Sequence, residues 1–202
     1  MFRLAIFVLP LAIVSLAAAP LPKAADKVAP FVMTKEGDTR VLEIRDNGST
    51  SELTEVVSKA ERKGDSVRAT ISRQLNGRAL TDATFEASPK GVFLVASAGK
   101  DLADPWPVVR LPAKEGDTWT WNEGEPGVAP AKHTRTIAKW EEVEVPAGKF
   151  QALRIETKLD SPGTPTRTGT YWLTPGVGVI KSVSNSSRGE HTTVLKSFTP
   201  EK

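Results

Sequence analysis

Along most of the chain, apolar and polar residues alternate one by one, and Gly, Pro, Asn and Asp interrupt the alternation at short intervals. A period of two is the pattern of a strand with one buried face, and the interruptions mark turns. "TRVLEIRD" (39–46), "ELTEVVSKAE" (52–61) and "DSVRATISRQ" (65–74) predict three successive strands, turned at Asp46-Asn47-Gly48 and Lys63-Gly64-Asp65. "ATFEAS" and "GVFLVASA" predict a hairpin through Pro89, Lys90 and Gly91. "KDLADPWPVVRLPAK" (100–114) breaks the rhythm, because Pro105, Pro107 and Pro112 forbid a central strand, and it reads as an irregular crossing. Strands resume at "DTWTWNE", "KHTRTIAKWEEVEV", "KFQALRIETKL", "RTGTYWLT", "GVIKSVSN" and "EHTTVLKSF". "ELTEVVSKAERK" alone also fits a helix. About ten strands at short spacing predict a mainly β fold in a single domain: a strongly curved antiparallel sheet, an open barrel-like half-barrel, or a sandwich.

The first residues do not belong to this pattern. A short positive start with Arg3, an apolar run from Leu4 to Leu16 and then "SLAAAP" have the form of a secretory signal peptide over 1–17, cut after Ala17. An uncleaved N-terminal anchor is the alternative, although the run is short for a span and Pro10 interrupts it. Residues 18–35, rich in Ala and Pro, read as a flexible exposed leader, and 36–199 as the β domain. The expected location is therefore periplasmic or extracellular, soluble after cleavage and without a stable membrane span. With no cysteine, the mature N-terminus has no site for a lipid tether and the fold no disulfide, so a hydrophobic core must carry stability. The net charge of +3 is spread over scattered single charges, which is no nucleic-acid footprint.

Few residues suggest catalysis. A thiol nucleophile is impossible. His133 and His191 sit in no metal-ligand spacing, and no phosphate-cradling glycine loop is present, so neither metal nor cofactor is expected. Asp101 and Asp104, beside Trp106, are either turn-forming acids in solvent or an acid pair acting on a sugar. The aromatics carry more information. Trp119 and Trp121 are two apart on a strand and project from one face, roughly 7 Å apart. They form either a stacking platform in a pocket or a layer of the core. Trp140 is expected to pack half-buried. In "GTYWLTPGVGVIKS" (169–182), Tyr171 and Leu173 share one face, and Trp172 and Thr174 the other. Thr174-Pro175-Gly176-Val177 has the residues of a type II turn, and Gly178 permits a bulge or close approach. "VPAGKF" (145–150) turns in the same way. "KEGDT" occurs at 35–39 and again at 114–118, either as a corner used twice or as the mark of two related halves.

Three of these motifs, "LPAKEGDTWTW", "VPAGKFQALRIE" and "YWLTPGVGVIKS", resemble in that order a group of exported bacterial β-sheet proteins classed as a domain of unknown function. The likeness covers Leu111–Ser182. Where relatives have aromatics after the first Gly-Asp corner, this chain has Arg40 and Leu42. The resemblance implies a strongly bent antiparallel sheet, similar in architecture to the periplasmic lipoprotein carriers, and transfers no catalytic residue. The expected function is non-enzymatic: a concave sheet binds an apolar or amphipathic ligand such as a lipid through Trp119, Trp121, Tyr171, Trp172 and Phe150. The alternatives are a structural or protein-interaction module with an envelope protein as partner, and a glycan hydrolase acting through Asp101 and Asp104.

Overall fold

A computed structural model describes residues 30–124, 129–186 and 189–201; the expected signal peptide lies outside them. Among the described residues there are twelve strands and no helix. The first six are β1 (Thr39–Asp46), β2 (Ser49–Lys63), β3 (Ser66–Leu75), β4 (Arg78–Ser88), β5 (Gly91–Ser97) and β6 (Lys100–Arg110). The second six are β7 (Thr118–Glu123), β8 (Ala131–Val145), β9 (Gly148–Asp160), β10 (Arg167–Thr174), β11 (Gly178–Ser186) and β12 (Gly189–Thr199). All belong to one antiparallel sheet in the order β6-β5-β4-β3-β2-β1-β12-β11-β10-β9-β8-β7. Each strand pairs with its sequence neighbour except at the β6/β7 step, and β1 pairs with β12. The sheet therefore rolls into a nearly closed barrel with a single open seam between β6 and β7.

Two segments differ from the pattern-based expectation. Residues 100–110 form β6 rather than an irregular crossing, so only 111–117 run without strand structure. The proline rule itself still holds. Pro105 and Pro107 cannot donate to a second ladder, and β6 is an edge strand with a single partner, β5. Residues 52–63, which also fitted a helix, are part of β2.

The leader is also shorter than expected. Phe31 and Met33 are 1% and 0% exposed, and Val32 is buried with them in the main core cluster. Alanine and proline upstream mask this triplet, which is apolar enough to enter the core. It is fastened by the hairpin turn at 174–178, where Gly176 N donates to Pro30 O at 2.7 Å. Gly178 has φ +91°, and a Cβ there would stand 2.8 Å from Arg40 Nη1 and 3.4 Å from Phe31 O. Gly178→Ala is expected to destabilise the fold by about 1–3 kcal/mol through backbone strain and this crowding. Chemical denaturation measures it, and an unchanged midpoint would show that the turn relaxes without cost.

The two "KEGDT" segments build the same corner. Asp38 N donates to Lys35 O and its carboxylate accepts from Lys35 N; Asp117 and Lys114 repeat both bonds. Gly37 N donates to Val57 O and Val57 N to Asp38 O, as Gly116 N does to Ile137 O and Ile137 N to Asp117 O. The next strand in each case then bulges, between Val57 and Lys59 and between Ile137 and Lys139. Corner, hairpin and bulge recur together, so β1–β6 and β7–β12 are structurally related halves. Directly after the corners, Arg40 pairs across the ladder with Glu55, and Trp119 with Arg135.

Arg40 and Glu55 are buried, and Arg40 Nε donates to Glu55 Oε2 at 2.6 Å. Arg40 Nη1 donates to the carbonyls of Val177 and Val179 at the start of β11. Arg73, one strand further on, lies 3.2 Å from the other oxygen of Glu55. This ladder of charge ties β1, β2 and β3 to the β10–β11 turn.

Candidate functional site

The open seam is bridged by side chains from the second half. Trp119 Nε1 donates to Pro107 O at 3.3 Å. Arg135 Nη1 donates to Pro107 O at 3.1 Å and to Val108 O at 2.6 Å. Beside this bridge lies a cavity of about 330 Å³ lined by Trp106, Trp121, His133, Arg135, Arg167 and Tyr171 among others.

The register explains why there is space. Cross-strand partners project from the same face, so Trp119, Arg135, Thr157, Gly169 and Ser184 form one rung across five strands. Two large side chains are followed by three small ones, and the missing volume becomes the cavity. The neighbouring rungs are Trp121–His133–Leu159–Arg167 on one side and Ile137–Ile155–Tyr171 on the other. Gly169 has no room for a side chain, since a Cβ would lie 3.0 Å from Val183 O and 3.2 Å from Thr157 Oγ1.

The aromatic lining is ordered around two bases. The His133 ring stacks on Trp121, with centroids 4.5 Å apart and planes at 10°, and faces Trp106 at 6.4 Å. His133 Nε2 lies 2.7 Å from Glu123 Oε2, which fixes the ring. The Arg135 guanidinium sits 5.1 Å from the Trp121 centroid and 5.7 Å from that of Tyr171. Such cation–π contacts stabilise a charge by about 0.5–2 kcal/mol and do not neutralise it. Burial pushes the Arg135 guanidinium below its ordinary pKa and the Tyr171 hydroxyl opposes that shift, but an arginine remains charged in either case.

Arg135 has no acidic partner among the described residues, and no carboxylate is among the residues lining the cavity. Its Nε and the Trp121 Nε1 are buried without a hydrogen-bond partner. On the equivalent rung of the first half, Glu55 stands where Arg135 does and is paired with Arg40.

Of the five residues that the sequence nominates, the structure brings Trp119, Trp121 and Tyr171 to one face. Trp119, at 5% exposure, is a core ring that closes the seam, so of its two possible roles it has the core one. Trp121 and Tyr171 line the cavity. Trp172 and Phe150 are elsewhere, packed against a second cluster around Val143, Ala152, Ile180 and Leu195, so the five do not share a concave face. Trp172 leaves β10 on the side opposite Tyr171. There its Nε1 donates to Glu141 at 2.7 Å, and Lys181 Nζ lies 5.0 Å from its ring. This bond, followed by that from Lys139, holds the Glu141 carboxyl below the usual range. Trp140 is 47% exposed, about half-buried, with its ring 5.7 Å from that of Phe31. Asp101 is exposed and paired with Arg68, and neither it nor Asp104 lines the cavity. Arg135, His133, Trp106 and Arg167 were not nominated as binding residues from the sequence. For Arg135, His133 and Arg167 the signal is the rung register, which joins residues far apart in the chain; Trp106 comes from β6, across the seam.

The fold has solved counterparts. It is shared with a candidate exported protein described as having a YmcC-like fold, from Bacteroides fragilis, at a TM-score of 0.64 and 16% identity over 85% of this chain and 100% of the other. A candidate lipoprotein from Parabacteroides distasonis matches with a TM-score of 0.61 and 16% identity, over 86% of this chain and 100% of the other. These likenesses show a shared fold. The counterparts are the kind of protein that the motifs of 111–182 resemble. No family model and no curated protein matches the chain.

Proposed function

We propose that the chain is an exported binding protein, not an enzyme, and that it holds an amphipathic ligand in the cavity beside the open seam. The observation that carries this reading is a buried cation without an acid partner, set between aromatic rings at the edge of a cavity of about 330 Å³. Ligand sites of this kind are mostly apolar, with a few polar groups that fix orientation. The two seam bonds to Pro107 O and Val108 O give Arg135 a structural role, but they leave its charge without an acid among the described residues, and burying such a charge is costly. Export is supported by the likeness to exported-type proteins and by the apolar N-terminal run. A protein-interaction role is the second reading, favoured by Trp140 on β8, a large ring that is 47% exposed.

Native mass spectrometry of the protein purified gently from its own source tests the main reading. An additional mass, removed by organic solvent, is expected. Trp121→Ala should weaken rebinding of the extracted compound about tenfold or more, the equivalent of 1.4 kcal/mol. A bare mass that takes up no extracted lipid would reject the ligand and turn attention to Trp140.

A further inference from the structure

Accepting that the cavity binds a ligand, its electrostatics define the ligand's head. The cavity lining includes Arg135, Arg167, Lys158 and His133 and no acid. Lys158 is neutralised by Asp160 at 2.9 Å, and His133 is held by Glu123. Arg135 and Arg167 have no acidic partner among the described residues. Arg135 spends Nη1 on the two β6 carbonyls, which leaves Nη2 for an occupant. The hydroxyls of Thr157 and Ser184 lie on the same rung, one and three strands away.

We infer that the ligand is an amphipathic anion, a carboxylate or phosphate monoester on an apolar chain. Its oxygens accept from Arg135, the Arg167 charge draws it in at the mouth, and its chain lies against Trp106, Trp121 and Tyr171. The planar guanidinium suits this task, because it offers paired donors to either oxyanion while its faces remain stacked on rings. The same cavity disfavours a cationic amphiphile, which would meet uncompensated positive charge.

The test uses three probes of one chain length, decanoate, decyl phosphate and decanol, titrated below micelle formation into delipidated protein and followed by tryptophan fluorescence. Both anions, or one of them, should bind at least tenfold more tightly than decanol, and raising the salt should narrow the gap. A preference between the two anions separates a fatty-acid-like head from a phosphate-bearing one. Arg167→Gln should weaken the anions several-fold and leave decanol unchanged. Because this residue is exposed, the variant avoids the folding risk of Arg135→Gln, which removes two bonds across the seam. Decanol binding as tightly as the anions would overturn the anionic head and leave the amphipathic site standing. Failure of all three to bind would overturn both.

Discussion

Trp119→Ala is expected to lower the stability of the barrel by about 3–5 kcal/mol, the usual cost of emptying a buried tryptophan site. The ring is 5% exposed, belongs to the main core cluster and lies across the β6/β7 seam. Its loss creates a cavity and also deletes the Nε1 bond to Pro107 O. Among the described residues no backbone ladder joins β6 to β7 to absorb that loss, so the seam should loosen first. Urea unfolding followed by circular dichroism measures the difference. Full stability combined with lost ligand affinity would mean that Trp119 is a binding platform and that the core assignment is wrong. Trp121→Ala is the companion experiment: its ring is only partly buried, so it should cost less stability and more affinity.

The second large effect is expected at Glu55. Glu55→Gln leaves Arg40 and Arg73 with no carboxylate between them in a buried setting. Removing one partner of a buried ion pair typically costs about 3–5 kcal/mol, because the remaining charge is desolvated and unpaired. Here the damage should spread beyond the pair. Arg40 also supports the carbonyls of Val177 and Val179, and the turn at 174–178 fastens residue 30. Denaturant midpoints of Glu55→Gln and of Arg40→Met/Glu55→Leu should be compared. The double variant removes both charges and should be the milder of the two, which identifies an orphaned charge as the cause. If the single variant matches the parent protein, the ladder is structurally idle.

Local rules recovered the strands, the hairpin turns and the face assignments of Trp119, Trp121, Tyr171 and Trp172, because alternation and turn chemistry are local. β6 escaped because the proline rule separates central from edge strands, and edge status depends on where the sheet ends. Phe31–Met33 escaped because composition averaged over 18–35 hides three consecutive apolar residues. Arg135 could not be read at all. In "KHTRT" it looks like one cation among several, and its importance comes from what faces it: rings on β7 and β10, carbonyls on β6, and no acid among the described residues. Grouping Trp172 and Phe150 with the other aromatics failed for a related reason, since shared residue type says nothing about shared side.

Where corner, hairpin and bulge recur, the rung that follows can differ between the two copies without a change of architecture. In the first half the pair after the corner is Arg40 and Glu55, a charge that answers itself. In the second it is Trp119 and Arg135, a ring that shuts the seam and a charge with no acid to answer it among the described residues. At this rung the first half balances its charge inside the sheet, and the second leaves its arginine open to whatever enters beside it.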